Sequence, residues 1–264
     1  MSATIGEDRI HRDQTNRTEP VTRFVIIAAP RTGSNLLCSL LNSHPDVLCH
    51  HELFNPDAVH YCLDRPAFLD FGSKEDRDRE PLGFLDRVWE NSLDNLAVGF
   101  KLNRGQNRLV YQTVLADRSV RKIVLVRLNR VKTCVSEQLA QQTGRWESHG
   151  SGDFRLDQVK LELDPDELFR HINLNNVFYD WVYKTLRDSN QEYLDTAYER
   201  LSSKDEWVRI LRFLRVDPTQ ADLVPRTRKQ TPRDLRTIIA NFDEVASALR
   251  GSDLYGQLCS VDRD

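Results

Sequence analysis

An α/β fold, with a central, mainly parallel sheet covered by helices on both faces, is what this sequence predicts. Short apolar runs alternate with stretches of helical periodicity along most of the chain. The first run ends in a tight turn that feeds directly into a helical pattern, giving a P-loop-like strand-loop-helix. No Pro/Gly/Ser-rich linker divides the 264 residues, so a single domain with a mobile lid is expected. Its boundaries read as a flexible arm over 1–20, a domain over 21–255 and a C-terminal tail over 256–264.

The elements follow in order. Phe24-Val25-Ile26-Ile27-Ala28-Ala29 is continuously apolar, as a central parallel strand buried on both faces must be. Pro30 to Gly33 breaks it, and Leu36, Leu37, Leu40 and Leu41 then recur at one-face helical spacing. Further strands are expected at 47–49, 97–102 and 122–126, with a weaker one at 193–198. Helices are expected at about 83–95, 106–117, 130–142, 165–188, 204–215 and 233–250. The charged stretch 72–81 reads as a solvated loop. The stretch 144–153, with Trp146 and His149 among glycines and serines, reads as a lid.

Composition narrows the function classes. Charged residues make up 29% and the hydrophobic set 39%, which is a globular balance. A net charge of −3 argues against a nucleic-acid partner, while the 37 Lys and Arg suffice for a local anion pocket. Five cysteines lack any zinc-ligand spacing and suggest a reducing compartment. No apolar run approaches the roughly 20 residues of a membrane helix. The first 20 residues lack the apolar core of a signal peptide. A soluble, cytoplasmic protein is expected, and the sequence does not reveal its oligomeric state.

The turn after the first strand, Ala29-Pro30-Arg31-Thr32-Gly33-Ser34-Asn35, is a candidate anion site. A strand ending in a tight turn presents free N–H groups at the following helix N-terminus, where the helix dipole adds positive character. Gly33 lets the backbone approach an anion; Thr32, Ser34 and Asn35 add donors, and Arg31 a charge. With one glycine and no lysine this is not a Walker A loop. An ordinary turn with Ser34 as helix N-cap is the alternative.

A second candidate lies at Arg127, at the end of a strand, and Ser136, about two turns into the next helix. Both reach the same rim of the sheet as the first loop, unless Arg127 is a surface residue and Ser136 a tolerated helix polar residue. Together the two sites suit a ligand phosphorylated at two separated positions, such as a nucleoside 3′,5′-bisphosphate.

Pro30-Arg31-Thr32-Gly33-Ser34-Asn35-Leu36-Leu37 resembles the 5′-phosphosulfate loop of sulfotransferases, especially the bacterial branch with glycolipid and trehalose sulfotransferases. Val126-Arg127 through Val135-Ser136 resembles the family's 3′-phosphate segment. Further marks follow in family order: His51-Glu52-Leu53-Phe54, Val98-Gly99-Phe100-Lys101-Leu102, Gln142-Thr143-Gly144-Arg145-Trp146 and Ala197-Tyr198-Glu199-Arg200-Leu201. Arg228-Lys229-Gln230 and Asn241-Phe242-Asp243-Glu244 complete the set, which spans roughly residues 22–255. Two features depart from the family. The histidine that animal cytosolic members carry two residues after the strand lysine is Asn103 here. The Arg127-to-Ser136 spacing is nine, where many relatives have eight.

The resemblance implies 3′-phosphoadenosine 5′-phosphosulfate as donor and a hydroxyl of a small molecule, carbohydrate or glycolipid as acceptor. Sulfuryl transfer should be an in-line displacement governed by positioning and electrostatics, with no metal. Arg31 and the amides of residues 32–35 would stabilise the leaving group. Glu52 is the candidate base, near the rim just past 47–49, with His50 or His51 as alternatives. Lys101 either assists the leaving group or bridges to a carboxylate. Arg226, Arg228 and Lys229 form either a solvated face or the family's nucleotide-contacting basic loop. Trp146 and His149 are candidate acceptor contacts. Two other classes stay open: a P-loop-type kinase and a non-catalytic nucleotide-binding relative.

Overall fold

The computed structural model describes residues 20–62, 71–146, 159–220, 223–224 and 234–261. The expected N-terminal arm except Pro20, together with His149 and the basic run Arg226, Arg228 and Lys229, lies outside the described residues.

Five parallel strands form one sheet: β1 (Thr22–Ala28), β2 (Val47–His50), β3 (Ala97–Asn103), β4 (Val120–Val126) and β5 (Tyr193–Ala197). Their spatial order is β2-β3-β1-β4-β5. β1 is central, and its alternate residues feed two cores. Val25 and Ile27 join a cluster with Phe84, Phe100 and Phe178, whereas Phe24, Ile26 and Ala28 pack with Leu37, Leu41 and Leu211. That is why the run is apolar without alternation. Phe24 pairs with Gly99 of β3, and a Cβ at Gly99 would overlap the Phe24 carbonyl and ring.

The helices are α1 (Ser34–Asn42), α2 (Lys74–Arg79), α3 (Pro81–Glu90), α4 (Arg108–Ala116), α5 (Arg130–Thr143), α6 (Pro165–Asp188), α7 (Lys204–Phe213), α8 (Phe242–Ala248) and α9 (Asp253–Cys259). The chain leaves β1 toward β2 and leaves β4 toward β5, so β1 and β4 are neighbours whose connections diverge. The carboxyl ends of such a pair open a crevice, the usual ligand position in an open α/β sheet.

Three sequence expectations change. The stretch 72–81 is helical rather than a solvated loop. Ser73 and Asp76 form a reciprocal capping box at α2, and Pro81 opens α3. The charge run hides a buried arginine: Arg77 donates to the carbonyls of Leu53, Asn55 and Ala58 at 2.8, 2.7 and 3.0 Å. The expected helix at 233–250 is interrupted. Leu161 bonds Ile238 and Ala240 through its backbone around a parallel bridge to Ile239, and the Asn241 side chain accepts from the Leu163 N–H, so the helix is broken over 238–241. Beyond residue 255, α9 continues with Leu258 fully buried in a third cluster that includes Val131, Val135, Leu168 and Ile239.

All five cysteines are free thiols. Among the described residues no helix is long and apolar enough to cross a membrane.

Candidate active site

The turn between β1 and α1 is built from two left-handed residues, Arg31 (φ 62) and Gly33 (φ 92). Gly33, not Ser34, is the N-cap of α1, and it supplies no side-chain capping bond. The alternative of an ordinary Ser-capped turn is therefore set aside, and the helix N-terminus faces the crevice with backbone donors. A Cβ at Gly33 would overlap the Tyr198 ring. Glycine is thus required here by both conformation and space. Thr32 turns inward, its hydroxyl donating to the Ala29 carbonyl at 2.7 Å, while Ser34 is buried.

Arg127 and Ser136 meet this loop. Arg127 Nη1 donates to the Arg31 carbonyl at 3.3 Å, and Arg31 Nε donates to Ser136 Oγ at 3.0 Å. The Arg31 guanidinium also bonds the Trp146 carbonyl. Its side chain thus lies along α5, on the side of the second anion site. Arg127 is buried, with its guanidinium 4.7 Å from the centre of the Tyr198 ring. Its Nε is a buried donor with no partner among the described residues. Burial lowers the Arg127 pKa, with Tyr198 and Glu199 working in the opposite direction.

On the other side of the loop, Lys101 from β3 links Asn35 to Glu52. Its ammonium donates to Asn35 Oδ1 and lies 3.0 Å from Glu52 Oε1. The bridge to a carboxylate, one of the two roles expected for Lys101, is present. Glu52 Oε2 accepts from Gln106 Nε2 at 2.7 Å and from Asn55 Nδ2 at 2.8 Å. Burial acts to raise the Glu52 pKa, but the Lys101 charge, the Asn55 hydrogen bond and His60 outweigh it and hold the carboxyl below its ordinary value.

The neighbouring histidines differ from Glu52. His50 is fully buried, its Nδ1 accepts from the Cys62 N–H at 3.2 Å, and burial followed by the nearby His51 pushes its pKa down to about 3. A neutral, enclosed His50 is not placed to take a proton from an acceptor. His51 is also buried, at 2% exposure. Trp146, at the start of the expected lid, is half exposed.

Two residues at the site, Tyr179 and Gln106, had no signal in the sequence, and Tyr198 had only its place in a family mark. Tyr179 of α6 accepts from the Ala29 N–H at 2.9 Å and donates to the Leu125 carbonyl at 2.7 Å, tying the ends of β1 and β4 together. Tyr198 separates Gly33 from Arg127. Gln106 reaches Glu52 from the turn after β3. Glu199 accepts from the Leu128 and Asn129 N–H groups at 3.1 and 3.2 Å, fixing the entry to α5. Of the family marks, Ala197-Tyr198-Glu199-Arg200-Leu201 therefore frames the crevice.

No family model matches the chain. A nodulation protein H from Rhizobium tropici is 33% identical over 244 residues, covering 90% of this chain and 93% of that protein. A nodulation protein H from Rhizobium meliloti (strain 1021) is 30% identical over 135 residues, 50% of this chain; the chain spans 53% of that relative's length. Among solved structures, a sulfotransferase from Alicyclobacillus acidocaldarius aligns with a TM-score of 0.45 at 17% identity, over 91% of this chain and 99% of that one.

Proposed function

The chain belongs to the sulfotransferase family, and on that premise we propose that it moves a sulfuryl group from 3′-phosphoadenosine 5′-phosphosulfate to a hydroxyl of a small-molecule, carbohydrate or glycolipid acceptor. The observation that carries this reading is the contact between two anion sites. Arg31 touches Arg127 through its carbonyl and Ser136 through its guanidinium, so the β1–α1 loop and the β4–α5 segment share one crevice. A ligand with phosphates at its 5′ and 3′ positions suits that arrangement. The Arg127 Nε, unpartnered among the described residues, supports the same view, because a buried donor gains most from an anionic acceptor.

In this reading the 5′-phosphosulfate lies on the N-terminus of α1, and the 3′-phosphate on Arg127, Ser136 and the Arg31 guanidinium. The acceptor oxygen forms a bond to sulfur as the bond from sulfur to the bridging oxygen breaks. The departing nucleotide carries the charge, met by the loop N–H groups and Lys101. Glu52 takes the hydroxyl proton. Its low pKa keeps it ionised and ready to accept at neutral pH. Arg228 and Lys229 remain candidate donor contacts. The compartment assigned is a reducing cytoplasm, in keeping with five free cysteines.

The test separates binding from transfer. Glu52→Gln should lose about 10²–10⁴-fold in sulfate-transfer turnover, with adenosine 3′,5′-bisphosphate affinity retained. Wild-type-like turnover would end the base assignment. Arg127→Ala should weaken that nucleotide about 10- to 100-fold in calorimetry, the worth of a charge-assisted hydrogen bond. An unchanged dissociation constant would contradict its role.

A further inference from the structure

One groove on the molecule is connected to Glu52 by a hydrogen bond. It lies between the turn after β3, α4 and α6, encloses about 310 Å³, and is lined by Gln106, Arg108, Tyr111, Gln112, Phe178 and Trp181. Three aromatic rings form its apolar part; Tyr111 and Trp181 stand 5.7 Å apart, edge to face. Two amides and a guanidinium supply hydrogen bonds beside them. An apolar wall with a few convergent polar groups is the ordinary composition of a small-molecule site.

Beside the groove, α6 exposes further apolar residues. Leu174, Val177 and Trp181 fall on one helical face, at 54%, 59% and 40% exposure. Scattered exposed apolar residues need no explanation, but a row leading out of a pocket marks a surface with a ligand to cover.

Gln106 joins the groove to the carboxylate. Its Nε2 donates to Glu52 Oε2 at 2.7 Å, and its Oε1 accepts from the Asn103 N–H at 3.0 Å. The side chain is thereby fixed at both ends while forming part of the groove wall. Glu52 Oε1 faces Lys101, and Oε2 is held by Gln106 of the groove wall.

We propose that the α4–α6 groove is the acceptor subsite, that it takes a glycoside whose ring lies on Trp181 and whose apolar substituent follows Val177 and Leu174, and that Gln106 is the positioning residue that aims Glu52 at the acceptor hydroxyl. This rests on Glu52 as the base. The amides of Gln106 and Gln112 and the guanidinium of Arg108 match the hydroxyls of a sugar ring, and the indole face matches its C–H surface.

Among the described residues, several polar and charged groups surround the Glu52 carboxyl. Lys101 faces it from β3, Asn55 and His60 from its own loop, Gln106 from the turn after β3 and Tyr111 from α4. Removing the Gln106 donor takes away one bond to the ionised form, so the carboxyl should titrate at higher pH.

The probe is octyl β-glucoside, kept below its micelle concentration and added to the complex with adenosine 3′,5′-bisphosphate. Saturable binding to the wild type is expected, weakened about tenfold or more by Trp181→Ala and by Gln106→Leu. Glu52 is titrated by carboxyl-labelled glutamate NMR, its signal assigned from Glu52→Gln. Gln106→Leu should raise that titration and Trp181→Ala should leave it in place, a split that a merely structural role for Gln106 would not produce. If Gln106→Leu fails to fold, Gln106→Glu keeps the shape and should raise the titration further through like-charge repulsion.

No saturable binding to the wild type, equal binding to both variants, or an unmoved Glu52 titration would each overturn the proposal. Two failures are told apart by Glu52→Gln. If it loses turnover while the groove variants change nothing, the acceptor subsite alone is wrong. If it keeps full turnover, the base reading falls and this inference falls with it.

Discussion

His50 and Glu52 stand two positions apart, yet their surroundings drive them to opposite charge states. Glu52 is only partly enclosed and has Lys101 beside it, so it stays ionised; His50 is enclosed among Tyr61 and Phe71 edges and stays neutral. The His50 pKa is about 3 in the folded chain, against an ordinary 6.5. Between those values the unfolded chain binds a proton that the folded chain refuses, so stability is lost as pH falls through that window. His50→Gln should therefore lose about 2 kcal/mol less than the wild type between pH 7 and pH 5 in urea denaturation. Equal losses would mean that His50 is not held neutral. At this scale the sequence was legible where a residue type sits at a telling place. Arg31, Arg127 and Ser136 stand at strand ends or early in a helix, and all three meet. Gln106 and Tyr179 sit in no pattern, and Tyr198 only in a family mark, because their roles arise only when distant segments pack together. Arg77 is the reverse case: within a run of charges nothing distinguishes the one side chain that turns inward to bind the loop carrying Glu52.

Among the elements, α6 has the widest reach. Its first half, with Leu168 and Ile172, packs into the cluster of α8 and α9, and its second half, with Phe178, Val182 and Leu186, into that of β1 and β3. Between them Tyr179 bonds Ala29, just after β1, and Leu125, near the end of β4. The hydroxyl is thus a brace across the crevice, and enclosure raises its pKa to about 12, so it stays protonated and able to donate. Tyr179→Phe keeps the ring but leaves the Ala29 N–H and the Leu125 carbonyl without this partner, at a cost of about 1–3 kcal/mol. Denaturant unfolding should show that loss. Adenosine 3′,5′-bisphosphate should bind more weakly while the Glu52 carboxyl titrates unchanged; undiminished nucleotide affinity would reduce Tyr179 to a purely structural bond. The 24-residue α6 was legible in full because Asp164 and Pro165 give an N-terminal signal and the periodicity persists to Asp188. α2 was not, since its capping box uses Asp76 where glutamate or glutamine is the usual mark, and Pro81 reads equally as a stop or as the first residue of a helix.

For the molecule as a whole, the α/β class followed from strands apolar on both faces, a pattern that only a sheet covered on two sides explains. The third cluster, around α8 and α9, was out of reach, because the pairing of Leu161 with 238–240 joins segments nearly 80 residues apart. Such pairing leaves no local period to read. The three clusters are not independent, however. β1 feeds two of them, and α6 joins the first to the third. Shared elements of this kind should make the chain unfold as one unit, the single domain proposed from sequence. Donor-site occupancy acts on that unit by mass action: a ligand bound only to the folded state at 100 times its dissociation constant adds about 2.7 kcal/mol. Adenosine 3′,5′-bisphosphate at that excess should shift one denaturation transition by this amount with its slope unchanged. For Arg127→Ala the same ligand concentration should give a gain smaller by about 1.3–2.3 kcal/mol, as its weakened affinity requires. Two resolved transitions would refute the single unit. An undiminished gain in Arg127→Ala would place the nucleotide somewhere other than the crevice between β1 and β4.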